Sequence, residues 1–152
     1  MFDVIVVGTD GSESAGIAIA RATALAKLTN GTLHVVSAYK GVSVASVGMA
    51  ASAGAATVDM ELVNRTASEE AELVCERGAS EARREGVKVE LHAVPGDAAD
   101  VLISVATEVG ADLIVIGNRG MSGARRFVLG SVPNKVSHHC PCNLLIVDTG
   151  RA

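Results

Sequence analysis

Five short apolar runs, at residues 4–7, 33–38, 87–94, 113–116 and 144–147, alternate with stretches of helical periodicity. No other feature of the sequence narrows the fold so far. Strand–helix alternation of this kind leads to a parallel sheet with right-handed crossovers. The runs at 4–7 and 113–116 are apolar without interruption, which suits central strands covered on both faces. In the third run Val87, Val89, Leu91 and Ala93 alternate with Lys88, Glu90 and His92. That is the pattern of a strand with one wetter face, near an edge. An α/β fold meets both demands: a doubly wound, Rossmann-like sheet of five parallel strands in the order 3-2-1-4-5, with four helices. The last run is then the other edge, yet Leu144, Leu145, Ile146 and Val147 carry none of the charges that usually blunt one. The expected cover is a second copy of the chain, giving a homodimer. A monomer whose helices cover that strand's faces is the alternative.

The helices have local signals. The first is expected over 12–28, stopped by Asn30-Gly31. In the second, Met60, Val63, Ala67, Ala71, Val74, Gly78 and Ala82 form an apolar stripe, and Gly86 ends it. The third has Asp97 as N-cap, buries Val101, Leu102, Val105 and Val109, and ends at Gly110. The fourth starts near Ser131, carries Pro133 in its first turn and ends before Pro141.

A length of 152 residues suits one domain, expected over 1–150. With no Trp, one Tyr and two Phe, the core must be aliphatic, and the aromatic platforms of a single-strand binder are missing. The net charge of −4 gives no basic footprint for nucleic acid. The opening MFDVIVVG is a strand ending in glycine, without a basic n-region or a cleavage site. No apolar run reaches the ~20 residues of a membrane span. Together with the odd count of three cysteines, this predicts free thiols and a cytoplasmic protein with no membrane partner. The small, almost chargeless stretch at 41–57 is expected to be a flexible loop leaving the carboxyl end of the second strand, either a lid or a plain linker.

Chemistry concentrates after the fourth strand. Gly117 closes a buried run, Gly120 follows two residues later, and Gly130-Ser131 opens a helix. Glycines let the backbone approach a ligand, and the first amides of a helix present unpartnered donors at the positive end of the dipole. A phosphate is the natural guest, although turn glycines with a Ser131 N-cap would read the same way. The chain has neither a Walker Gly-Lys-Ser/Thr nor a dinucleotide G-x-G-x-x-G after a strand. At the end of the first strand, Gly8-Thr9-Asp10-Gly11-Ser12 places Asp10 at the ligand crevice of a doubly wound sheet. A carboxylate there suits a ribose hydroxyl, an adenine amino group or a metal bridging phosphates. Asp10 with Glu13 also makes a capping box for the first helix.

At these residues the chain resembles the universal stress protein family. The family's nucleotide motif G-x2-G-x9-G-[ST] stands here as Gly117-x2-Gly120-x9-Gly130-Ser131. The flanks also resemble it: VGTDGS at the first strand, LHVV at the second, GDAAD at 96–100, GSV-x3-V from Gly130 to Val136, and Cys-Pro before the last strand. The resemblance implies an ATP-binding protein that hydrolyses slowly or not at all. It implies that Asp10 approaches the ribose or a phosphate-bound Mg²⁺ and that Val35 holds adenine through its backbone. Gly117 would lie near the ribose, and the amides around Gly120, Gly130, Ser131 and Val132 would hold phosphates. It also implies a dimer through the last strand. Some actinobacterial relatives prefer cyclic AMP, and the opening Gly-Asn-x-Gly-x-Ser with Gly-Ser-Val-Pro resembles that branch too. Arg119, Arg125 and Arg126 lie within the loop and add charge suited to a triphosphate, or form a solvated basic loop.

Three other features look chemical. His138-His139-Cys140-Pro141-Cys142 lacks the spacing of a zinc site, and its histidines suit a helix C-terminus. Cys75 reads as a small core residue, and Asn64-Arg-Thr66 as a sequon without meaning in the cytoplasm. Two rival functions remain: a nucleotide hydrolase with Asp10 holding Mg²⁺, which would also need a residue to position water, and a dimerising scaffold that binds no nucleotide.

Overall fold

The computed structural model describes residues 1–42, 59–119 and 129–150. The elements run β1 (Val4–Gly8), α1 (Glu13–Thr29), β2 (Thr32–Tyr39), α2 (Met60–Arg84), β3 (Lys88–Pro95), α3 (Ala98–Glu108), β4 (Leu113–Gly117), α4 (Ser131–His139) and β5 (Asn143–Val147). All strand pairs are parallel, and the order is β3-β2-β1-β4-β5, as the sequence predicts. The expected loop at 41–57 lies outside the described residues apart from Gly41 and Val42.

The continuous apolar runs end up where their composition requires. Ile5, Val6 and Val7 of β1 and Ile114 and Val115 of β4 are fully buried, because helices cover both faces of a central parallel strand. Alternation along the strands splits the core in two. Ile5, Val7, Leu33, Val35 and Val115 pack against α1 and α2 through Ala18, Ala22, Cys75 and Ala79. Val6, Val36, Ile114 and Ile116 pack against α3 and α4 through Leu102, Val105 and Val136. β3 is an edge strand with Lys88 and Glu90 exposed, in keeping with its alternation.

Several local expectations shift by a residue or two. The buried face of α2 is Ala71, Cys75, Ala79 and Ala82, whereas Leu62 and Val63 are exposed. A helix of 25 residues is roughly 37 Å long and β3, with eight, roughly 26 Å, so the first turns of α2 outrun the sheet. The capping box on α1 does not form. Ser12 is the N-cap, its hydroxyl accepting from the Ala15 amide, while Asp10 Oδ1 accepts from the Ser12 amide at 3.0 Å. The N-cap of α4 is Gly130, with Ser131 the first helical residue. Asp97 caps α3 as expected.

Candidate functional site

A cavity of about 300 Å³ opens at the carboxyl ends of β1, β2 and β4. This is where β1 hands the chain towards β2 on one side and meets β4 on the other, the switch point at which open α/β sheets bind ligands. β1 supplies Gly8, Thr9 and Asp10; β2 supplies Val36 and Ala38; β4 and the turn after it supply Ile116, Gly117 and Arg119. α3 adds Ala98 and Leu102, and the start of α4 adds Gly130, Ser131, Val132 and Pro133. One wall is therefore aliphatic and the other is a helix N-terminus.

The turn after β1 is tied within itself. Thr9 Oγ1 accepts from the Gly11 amide, and Asp10 Oδ1 holds the Ser12 amide. The Ser14 hydroxyl donates to the Arg119 carbonyl at 3.3 Å, joining α1 to the turn after β4. Gly117 is needed for close approach: a Cβ there would stand 3.2 Å from the Arg119 carbonyl oxygen and from Thr149 Cγ2.

The start of α4 has a restricted set of donors. The Gly130 amide is committed to the Asn118 carbonyl at 3.1 Å, and the Asn134 amide closes the first helical bond to the Gly130 carbonyl. Pro133 has no amide hydrogen. Gly130 offers no side-chain cap. Ser131 and Val132, whose amides belong to the positive end of the α4 dipole, both line the cavity. Lys135, one turn further on, donates to Asp97 Oδ1 at 3.1 Å and Asp100 Oδ2 at 2.8 Å. Those bonds raise the Lys135 pKa and, with the Asp100 amide, lower that of Asp97. Lys135 thus fastens α4 to α3, and Arg119, whose guanidinium stands beside Gly150, is the cationic residue lining the cavity among the described residues.

The structure brings together Asp10, Gly117, Arg119, Gly130, Ser131 and Val132 of the predicted set. Val35 lies elsewhere: it is fully buried in the cluster under α1 and α2, and the Cys75 thiol is 3.6 Å from its carbonyl. Its neighbour Val36, on the opposite face of the strand, lines the cavity instead. Gly120, Arg125 and Arg126 lie outside the described residues. His138 and His139 are exposed in the last turn of α4. Burial raises the pKa of Cys75 to about 11.

Asn118 is a residue that sequence reasoning missed. Its side-chain oxygen accepts from the amide and hydroxyl of Thr149, its side-chain nitrogen donates to Asp148, and its backbone amide donates to the Val147 carbonyl. The structural role of Asn64 was also missed: it brackets Val42, accepting from its amide at 2.6 Å and donating to its carbonyl at 3.2 Å.

Comparison with known proteins agrees with this architecture. The family model described as "Universal stress protein family" matches residues 1–148. "Universal stress protein Rv1636" of Mycobacterium tuberculosis (strain ATCC 25618 / H37Rv) is 33% identical, covering 97% of each chain. "Universal stress protein YxiE" of Bacillus subtilis (strain 168) is 29% identical, over 97% of this chain and 99% of that one. A solved structure titled "Crystal structure of universal stress protein in complex with cAMP" is 30% identical, covers 98% of each chain and superposes with a TM-score of 0.69.

Proposed function

The chain belongs to the universal stress protein family, and on that premise we propose that it is a regulatory protein of the stress response that binds an adenine nucleotide, ATP in the first instance, in the crevice between β1, β2 and β4. The observation that carries the reading is the start of α4: a helix N-terminus without a side-chain cap, whose residues Ser131 and Val132 line a cavity also lined by Arg119. The phosphates are held there, with Arg119 adding charge. Gly117 and Asp10 lie beside the ribose, and the base rests against the aliphatic wall of Val36 and Ala38 on β2. Mg²⁺ bound between phosphate oxygens would neutralise their charge, with Asp10 as its expected neighbour. The ligand is held rather than turned over. The site of action is the cytoplasm, where the free thiols Cys75, Cys140 and Cys142 persist. Among the described residues, no helix is long and apolar enough to cross a membrane.

A second reading is cyclic AMP. It is favoured by the relative that is 30% identical and was solved in complex with that ligand. A single phosphate also matches the small donor set of α4. Calorimetric titration of ATP–Mg²⁺ and of cyclic AMP into ligand-stripped protein separates the two, with Gly130→Val as control. A Cβ at Gly130 meets only ordinary contacts, 3.4 Å from the Asn118 oxygen and 3.5 Å from Pro133. The larger valine is therefore expected to leave the circular dichroism spectrum intact while abolishing binding. The tighter ligand identifies the sensor type. Binding of neither ligand by the parent chain overturns the reading and leaves the dimerising scaffold. Product release over many protein equivalents would instead establish the hydrolase.

A further inference from the structure

Away from the crevice, β2 and β3 bring three ligating side chains to one face of the sheet. The register pairs His34 with Glu90 and Val36 with His92, so alternation puts His34, Glu90 and His92 on the same side. His34 Nδ1 and His92 Nε2 are hydrogen-bonded to each other at 2.9 Å, with ring centroids 5.2 Å apart. Glu90 Oε2 is 3.9 Å from His34 Nδ1, and the three ligand atoms all lie within 4.8 Å of one another. The His34 side chain is buried at 8% exposure, whereas that of Glu90 is 50% exposed. The competing cation is Lys88, whose Nζ is 3.7 Å from the other Glu90 oxygen.

We propose that His34, Glu90 and His92 form a binding site for a divalent transition-metal ion of the Zn²⁺ class. Two imidazole nitrogens and one carboxylate are a donor set that suits Zn²⁺, whereas Mg²⁺ and Ca²⁺ take oxygen ligands. An ion ~2.1 Å from each nitrogen would replace the hydrogen bond between the two rings, which would turn so that both lone pairs meet it. The ligands stand on paired strands rather than loops, so the pleat holds them in place. The buried His34 supplies the dry inner wall, and the exposed Glu90 leaves the fourth position open to water. Three ligands from two strands clamp the edge strand β3 to β2. The proposal is independent of the nucleotide reading.

The test is calorimetric titration of Zn²⁺ alone into the full chain carrying Cys140→Ser and Cys142→Ser, which removes the two partly exposed thiols as competitors. One ion per chain is expected. His92→Ala and Glu90→Gln, both outside the deep core, should each weaken binding by more than roughly tenfold, since even outer-shell losses register on that scale. Circular dichroism checks that both variants fold. Imidazole ¹H–¹⁵N spectra should show His34 and His92 shifting on Zn²⁺ addition while His138 and His139 stay in place. Absence of binding to the serine-substituted chain, or binding that survives both ligand variants, overturns the proposal.

Discussion

Asn118 joins the ends of β4 and β5 to the start of α4 through bonds to Val147, Asp148, Thr149 and Gly130. Asn118→Ala keeps the backbone bonds and removes the side-chain ones, leaving the Thr149 amide and hydroxyl without their acceptor. The expected loss is about 1–3 kcal/mol in urea denaturation. Under the proposed function, nucleotide affinity should stay within a few-fold, because the Asn118 carbonyl that holds the Gly130 amide is retained. The importance of Asn118 was not legible in the sequence, since Thr149 is 31 positions away and a side-chain bond over that distance leaves no local pattern. Asn64 was hidden for the same reason, with its partner Val42 22 positions earlier. Asn30-Gly31 does stop α1, with the two residues in different parts from the usual ones. The left-handed residue is Asn30, at φ 56°, and glycine is required at 31 because a Cβ would stand 2.7 Å from the Phe2 carbonyl oxygen.

Elements were far more legible, because periods of two and of about 3.6 residues are local properties of the chain. β3 declared itself an edge through Lys88 and Glu90, and α3 through Asp97 and Gly110. Cys75 was read as a core residue and is one, but the apolar stripe of α2 was read to include Val63 and to omit Ala79, since the sequence does not say where the sheet beneath a long helix begins. The anchoring of β1 was also invisible. Asp112 Oδ2 accepts from the amides of Asp3 and Val4, each at 2.9 Å, and these bonds lower its pKa. A carboxyl depressed in the folded state adds stability that is present above its unfolded pKa of ~3.9 and is lost as pH falls through the folded value. Stability should therefore drop on acidification below about pH 4, and Asp112→Asn should remove part of that drop while lowering stability at neutral pH. Denaturant midpoints for both chains between neutral and acid pH measure this. An unchanged acid limb in the variant would assign the acid sensitivity to other carboxylates.

At the scale of the whole molecule, strand order followed from matching apolar runs to covered positions, and the crevice followed from strand order. The wall formed by Val36 and Ala38 did not, because which face of β2 lines the crevice depends on register across the sheet. The remaining edge is β5, which pairs with β4 on one side only among the described residues. Leu144 and Ile146 are partly buried against the cluster under α3 and α4, whereas Leu145 faces outward with 37% of its surface exposed. An uncharged apolar edge of this kind is a template for pairing with another strand. A second copy related by a two-fold axis closes both edges at once, which no open-ended arrangement does. The chain is accordingly expected to sediment as a dimer at micromolar concentration. Leu145→Lys should shift it to monomer, with dissociation strengthened by at least about tenfold, or ~1.4 kcal/mol. The substitution lies outside the crevice, so nucleotide affinity per protomer should stay within a few-fold. A parent chain that sediments as a monomer at high concentration would show that the helices flanking β5 suffice to cover it.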